Sequence, residues 1–210
     1  MHYYQVVIFL NHLSSKFIFM KNIFIILLSV FMVSCASTEI KTKIQPVEFV
    51  KQILEPTGGE VSKPKSWFYA ERHKAANSLN WIISKEDPQN GYETGLSIQF
   101  MMGINKGTGL MPDEYVQGYI EHILKTSTLI KRCDTSKVGD FIRSCMEVTQ
   151  VQMRDGIPIN FTILYSFLWD NKKDSVGLTV AGSPTAEWPK YSNTFNQMTE
   201  IKLIDPSRFK

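Results

Sequence analysis

Residues 161–180 read FTILYSFLWDNKKDSVGLTV, two largely apolar runs separated by a polar segment. In residues 161–169 apolar side chains occupy both alternating faces, which is typical of a strand that is covered on both sides in the middle of a sheet. A polar turn follows at residues 170–174, and apolar alternation resumes in residues 176–180. The two runs therefore predict an antiparallel hairpin at the heart of the domain.

Further strands are predicted from short aromatic and β-branched runs and from alternation of apolar with polar residues. They lie at residues 67–71, 80–84, 94–103, 129–133, 141–151 and 200–204. The pattern is clearest where Leu96, Ile98 and Phe100 alternate with polar residues. That strand is expected to bury one face.

Helical spacing predicts three helices. The longest begins at Pro112, where proline and two acids suit a helix start. Its apolar stripe comprises Tyr115, Val116, Tyr119, Ile120, Ile123 and Leu124. A closing helix is predicted from Trp188, Tyr191, Phe195 and Met198, and a short one from Phe49, Val50, Ile53 and Leu54. Residues 103–111 are predicted to form a loop.

The order of these elements favours an α+β fold in which an antiparallel sheet is flanked by helices. That order, with the closing pattern Gly182, Ser183, Pro184, Trp188, Phe195 and Met198, resembles the Mog1/PsbP-like superfold. Among its members the chain looks like the DcrB-type bacterial envelope lipoproteins. The resemblance covers residues 63–205 and implies an α/β/α sandwich that binds proteins or hydrophobic segments, with no common chemistry.

The N-terminal region has the layout of a signal peptide. Lys21 precedes the apolar residues 23–33, a run of about 16 Å as a helix, which is too short for the roughly 30 Å of a bilayer core. Met20 is expected to be the true start. Removal of residues 1–34 also takes away two lysines and lowers the formal net charge from +3 to +1. Nucleic acid is therefore not an expected partner.

Met32, Val33, Ser34 and Cys35 resemble the lipobox of bacterial lipoproteins, in which the cysteine becomes lipidated and N-terminal. The alternative is an ordinary secretory signal. We expect three parts: a lipoprotein signal peptide at residues 1–34, a lipidated tether with the short helix at residues 35–62, and a single α+β domain at residues 63–210.

Cys133 and Cys145 are the remaining cysteines once Cys35 carries lipid. They flank a polar stretch between two predicted strands, and an exported compartment permits a disulfide between them. Closing so short a loop contributes about 3 kcal/mol on the chain-entropy model. The alternative is a pair of buried free thiols.

Candidate catalytic and metal-binding residues are few. His73 is expected in an exposed loop and His122 on the surface of the long helix, and metal sites need several converging ligands. Ser97 lies within a predicted strand and lacks the glycine pattern of a nucleophile elbow. The loop at residues 103–109 fails as a phosphate cradle because acids follow it. No catalytic residue, metal site or cofactor is predicted.

The chain is rich in aromatic residues, and most of them are expected to lie in the core. A competing interpretation is an apolar groove near Met101, Met102 and Met111, because methionine surfaces adapt to varied partners.

These patterns predict a membrane-anchored lipoprotein of the bacterial envelope with a non-enzymatic binding role, facing the periplasm from the outer membrane if the host is Gram-negative. Its partner would be a protein or a hydrophobic segment. The alternative is an envelope enzyme with an unrecognised active site. Titratable side chains converging in a pocket would favour the enzyme, and an exposed apolar strip would favour binding.

Replacing Cys35 by serine tests the lipoprotein interpretation. We expect the variant to remain uncleaved or to be released in soluble form, because serine lacks the thiol that accepts the lipid. Metabolic labelling with a fatty acid and fractionation of the cells measure both properties. A lipid-labelled, membrane-bound Cys35→Ser product would end this interpretation.

Overall fold

The computed structural model describes residues 47–75 and 77–198. Its elements are β1 (Phe49–Leu54), β2 (Gly59–Pro64), β3 (Phe68–Glu71), β4 (Ser78–Ser84), β5 (Gly95–Met102), α1 (Ile104–Thr108), α2 (Pro112–Leu124), β6 (Thr128–Arg132), β7 (Ser136–Val138), β8 (Phe141–Arg154), β9 (Ile157–Asp170), β10 (Ser175–Pro184) and α3 (Trp188–Met198). No helix within these ranges is both long and apolar enough to cross a bilayer. The predicted signal peptide, Cys35 and the predicted strand at residues 200–204 lie outside the described residues.

The main sheet has the strand order β3-β4-β5-β10-β9-β8-β6, and β7 pairs with β8 beside β6. All of these pairings are antiparallel. The predicted central hairpin is confirmed, because β9 pairs with β10 from Asp170 opposite Ser175 to Phe161 opposite Pro184. β1 and β2 form a separate two-stranded hairpin.

Each face of the sheet carries its own core, which confirms the α+β class. On one face, called the α2 face, Phe167 and Val176 pack with Val116 and Ile120 of α2. On the other, called the α3 face, the sheet packs against α3 and the β1–β2 hairpin. That second core contains Leu54, Val61, Trp81, Ile83, Leu96, Phe100, Phe195 and Met198. The sheet thus lies between two helical layers.

The predicted short helix at residues 49–54 is wrong, because these residues form strand β1. Apolar positions at 49, 50, 53 and 54 fit either structure, and pairing with β2 decides the outcome. The turn between the strands contains Gly58 with a φ of 66°, a conformation that glycine adopts without strain. Leu54 and Val61 are fully buried in the core, so this hairpin packs on the sheet.

The predicted loop at residues 103–111 contains the short helix α1. Gly103 and Gly109 flank it with φ values of 71° and 78°. The carboxylate of Asp174, in the β9–β10 turn, accepts hydrogen bonds from the backbone N–H of Asn105 at 2.6 Å and of Lys106 at 3.5 Å. An acid of the chain itself therefore occupies the position that a phosphate would need.

Phe195 tests how far the α3 face holds the domain together. Its side chain is fully buried and packs edge-on against Trp67 at a ring separation of 5.9 Å. We expect Phe195→Ala to lower the free energy of unfolding by about 3–5 kcal/mol, since the substitution leaves a large cavity. Urea denaturation measures the change.

The matched control is Phe68→Ala, because Phe68 lies on edge strand β3 and is 46% exposed. We expect this substitution to lower the free energy of unfolding by no more than about 1 kcal/mol. Equal losses in the two variants would show that α3 does not cover a core.

Candidate functional site

Exposed apolar side chains concentrate along one edge of the sheet. Among the described residues, twelve large apolar side chains are exposed, and seven of them lie on β6, on β7, near the two ends of β8 and at the start of β9. These seven are Leu129, Ile130, Val138, Ile142, Val151, Met153 and Ile157. Such a concentration is typical of a surface that another molecule covers.

The outer part of this edge is an arm formed by residues 150–160. β6 stops pairing with β8 at Thr149, and β10 stops pairing with β9 at Phe161. Beyond these points β8 and β9 pair only with each other. The arm closes through Asp155 and Gly156, which have φ values of 50° and 81°, the pair favoured in two-residue hairpin turns.

One edge of the arm is protected by proline. The carbonyl oxygen of Asn160 accepts a hydrogen bond from Thr185 N–H at 2.8 Å, so the backbone groups of Asn160 point toward the β10 side. Backbone groups two residues apart in a strand point to the same side, so the backbone of Pro158 also faces the β10 side. Proline has no N–H to donate there. A strand cannot form a complete ladder on this side.

The opposite edge of the arm is open. Val151 lies opposite Asn160, and Met153 lies opposite Pro158. In an antiparallel ladder, opposed residues both point toward each other or both point away, so Val151 and Met153 direct their backbone groups outward. Within the described residues no backbone group pairs with them there. Their side chains are 59% and 63% exposed, which adds an apolar surface to free donors and acceptors.

The arm was not predicted from the sequence, because the predicted strands end at residue 151 and begin again at residue 161. The sequence does contain a signal for this hairpin. Asp155–Gly156 is a preferred two-residue hairpin turn, and the residues on either side continue as strands.

A disulfide between Cys133 and Cys145 closes the other end of this edge. Cys133 follows β6, and its N–H donates to the Cys145 carbonyl at 3.0 Å. The bond therefore holds the end of β6 against β8. Beside it, the Lys131 ammonium lies 3.1 Å from the buried carboxylate of Glu147. This ion pair compensates for the burial of the Glu147 charge.

A groove of about 460 Å³ runs beside α2. Val116 and Ile120 line it from the helix, and Arg132, Ser144 and Trp169 line it from the sheet. Its lining mixes apolar with polar and charged residues, and it lies at a different place from the apolar groove that the methionines indicated.

The three methionines do not share a groove. Met101 packs against the core on the α2 face, whereas Met102 packs against the core on the α3 face. Adjacent residues of a strand point to opposite faces, which explains the separation. Met111 lies at the start of α2, where its N–H donates to Glu114 at 2.8 Å.

The residues weighed for catalysis have structural contacts. His73 is exposed, as expected. Its Nε2 lies 3.1 Å from the Glu55 carbonyl oxygen, and its Nδ1 accepts the Asn80 N–H at 3.2 Å. Ser97 donates to the Asn80 side chain at 3.0 Å, and His122 is exposed on α2. The described ranges contain no group of three His, Cys, Asp or Glu placed to hold a metal.

Comparison with known proteins gives matches to solved structures. No family model matches the chain, and no curated protein matches it. The Ran-binding protein Mog1p of Saccharomyces cerevisiae matches at 13% identity and a TM-score of 0.46, over 79% of this chain and 100% of that one. The cyanobacterial PsbP of Synechocystis matches at 8% identity and a TM-score of 0.47, over 76% and 95%.

LpqN of Mycobacterium tuberculosis, described as involved in cell envelope biogenesis, matches at 9% identity and a TM-score of 0.41, over 76% of this chain and 92% of that one. Mog1 and a PsbP protein, after which the expected superfold is named, are thus among the matching structures. At these identities the likeness concerns the fold alone.

Reduction of the disulfide should weaken the folded state. We expect the free energy of unfolding to fall by about 3 kcal/mol when the Cys133–Cys145 bond is reduced, because the unfolded chain regains the freedom of the closed loop. Urea denaturation with and without reductant measures this. A variant with serine at both positions is the control, and reductant should not change its midpoint. An unchanged midpoint in the native sequence would contradict the expected contribution.

Proposed function

We propose that the protein is a non-enzymatic binding protein of the bacterial cell envelope, anchored by lipid at Cys35, and that it binds a protein partner along its open apolar edge. The observation that carries the binding role is the outward direction of the Val151 and Met153 backbone groups beside exposed apolar side chains. The anchor is supported by the signal-peptide layout that ends at Cys35.

Strand addition is the mode of binding that fits this edge. An extended segment of the partner would continue the sheet beyond β8, with main-chain hydrogen bonds providing affinity. Side chains at alternate positions of that segment would lie against Val151 and Met153. Edges with free donors, acceptors and apolar side chains readily pair with another chain unless they are protected, and here proline protects the β9 side alone.

The non-enzymatic part of the proposal is supported by what two carboxylates and His73 do, since these residue types most often serve in acid–base catalysis. The Asp174 carboxylate accepts N–H groups at the start of α1, and Glu114 accepts the N–H of Met111 at the start of α2. His73 links the β1–β2 turn to β4. These groups are engaged in holding backbone segments together.

Site-directed cross-linking in intact cells tests the edge. A photoreactive amino acid at Val151 should give a cross-linked protein partner, whereas the same group at Glu121 on the outer face of α2 should not. Met153→Lys should abolish the cross-link at residue 151, because a lysine on a strand edge opposes pairing with a further strand.

The matched control is Gln152→Lys. Gln152 lies opposite Ile159, so its backbone groups face β9 and its side chain lies on the other face of the arm. This variant should leave the cross-link intact. Equal cross-linking at Val151 and Glu121, or insensitivity to Met153→Lys, would contradict binding at this edge.

A further inference from the structure

A second cavity lies on the α2 face, between the arm and the loop that joins β4 to β5. Its volume is about 270 Å³. Arg154 and Gln152 line it from the arm, and Arg72, Tyr92 and Glu93 line it from the opposite side. Its apolar wall includes Phe161, Ile163 and Val180. The function proposed above does not use this pocket, which we call the Arg72–Arg154 pocket.

Both guanidinium groups in the pocket lack a carboxylate partner. Within the described ranges, no acid lies within 4.0 Å of either Arg72 or Arg154 in an ion pair. Neutral groups hold them: Arg72 donates to the Pro88 carbonyl at 2.5 Å, and Arg154 donates to the Gln152 side chain at 3.2 Å. Each guanidinium has five N–H donors, so most of them remain available.

Tyr92 adds a neutral donor to the two cations. Burial raises the pKa of its hydroxyl, and the nearby Arg72 and Arg154 oppose that rise less strongly. The hydroxyl therefore stays protonated at neutral pH. No hydrogen bond joins it to another side chain of the described part of the chain, so it can donate to a ligand.

Gly95 positions the Tyr92 ring. A Cβ at residue 95 would lie 2.8 Å from that ring and 2.9 Å from the Ile83 carbonyl oxygen, distances that real Cβ atoms do not show. The ring can lie on strand β5 because residue 95 has no side chain. The sheet is thus shaped to hold this aromatic wall.

The geometry points to a binding site for a small organic monoanion, a carboxylate carried on an apolar body. The two arginines and the tyrosine hydroxyl would receive the carboxylate, since guanidinium groups match carboxylate oxygens in bidentate geometry. The apolar body would lie against Phe161, whose ring is 5.8 Å from the Arg154 guanidinium carbon. A volume near the lower limit for ligand pockets suits a short chain.

The charge of the lining selects a monoanion. Glu93 is also a lining residue, so two cations and one anion leave a formal charge of +1. A carboxylate balances this charge, whereas a doubly charged phosphate would place an excess negative charge near Glu93. Glu93 therefore discriminates between two anions that arginine alone would accept.

Calorimetric titration of the full chain with octanoate tests the site, with 1-octanol and inorganic phosphate as comparison ligands. Octanoate should bind saturably and at least tenfold more tightly than either, and its affinity should fall at high salt. Arg72→Gln and Arg154→Gln should each weaken octanoate binding by roughly tenfold or more, because each removes a charge-assisted hydrogen bond. Arg132→Gln, in the groove beside α2, is the matched control and should bind as the native sequence does.

Tyr92→Phe keeps the ring and removes the hydroxyl, so it should weaken octanoate binding while circular dichroism stays unchanged. The proposal would be overturned if octanoate showed no saturable heat up to roughly 10 mM, a concentration far above ordinary ligand affinities. Equal binding of octanol or phosphate, or native-like affinity in both arginine variants, would also overturn it. These outcomes are independent of the cross-linking at Val151, because the pocket and the open edge use different side chains of the arm.

Discussion

Strand β9 is covered on both of its faces, with Leu164 partly buried toward α3 and Phe167 fully buried toward α2, and this requirement places the other layers of the domain. Burial of a large apolar side chain stabilises the folded state by roughly 1.5–3 kcal/mol. Both faces of β9 must therefore be covered by other parts of the chain. The chain therefore surrounds β9 with β8 and β10, covers one face with α2, and covers the other with α3 and the β1–β2 hairpin.

The covering elements are shorter than the β8–β9 hairpin. β8 and β9 each have fourteen residues and extend over about 46 Å, whereas the thirteen residues of α2 span about 20 Å. The far end of the hairpin consequently projects as the arm, beyond β6 and β10. This mismatch in length produces both features that carry the functional proposals: the open edge at Val151 and Met153, and the pocket between Arg154 and Arg72.

The sequence predicted the features that depend on strong periodicity. The β9–β10 hairpin, the stripe of α2 and the closing helix at Trp188 were all expected, because a buried face imposes its period on the residues. The helix expected at residues 49–54 was wrong because four apolar positions fit two periods, and tertiary pairing decides between them. The pocket was not predictable, since Arg72 and Arg154 are 82 positions apart and only the sheet brings them together. The arm had a local signal in Asp155–Gly156 and in the alternation of Val151 and Met153 with polar residues, but the predicted strands stopped short of that turn.

Native-state hydrogen exchange of the backbone amides tests most directly whether one doubly covered strand organises the domain and leaves an open edge. We expect the amides of Leu164 and Phe167 to exchange only through global unfolding. We expect rapid exchange at Val151 and Met153, whose N–H groups point outward, and slower exchange at Gln152, whose N–H faces β9. Protection of Val151 and Met153 equal to that of Phe167 would contradict the open edge, and rapid exchange along β9 would contradict its central place.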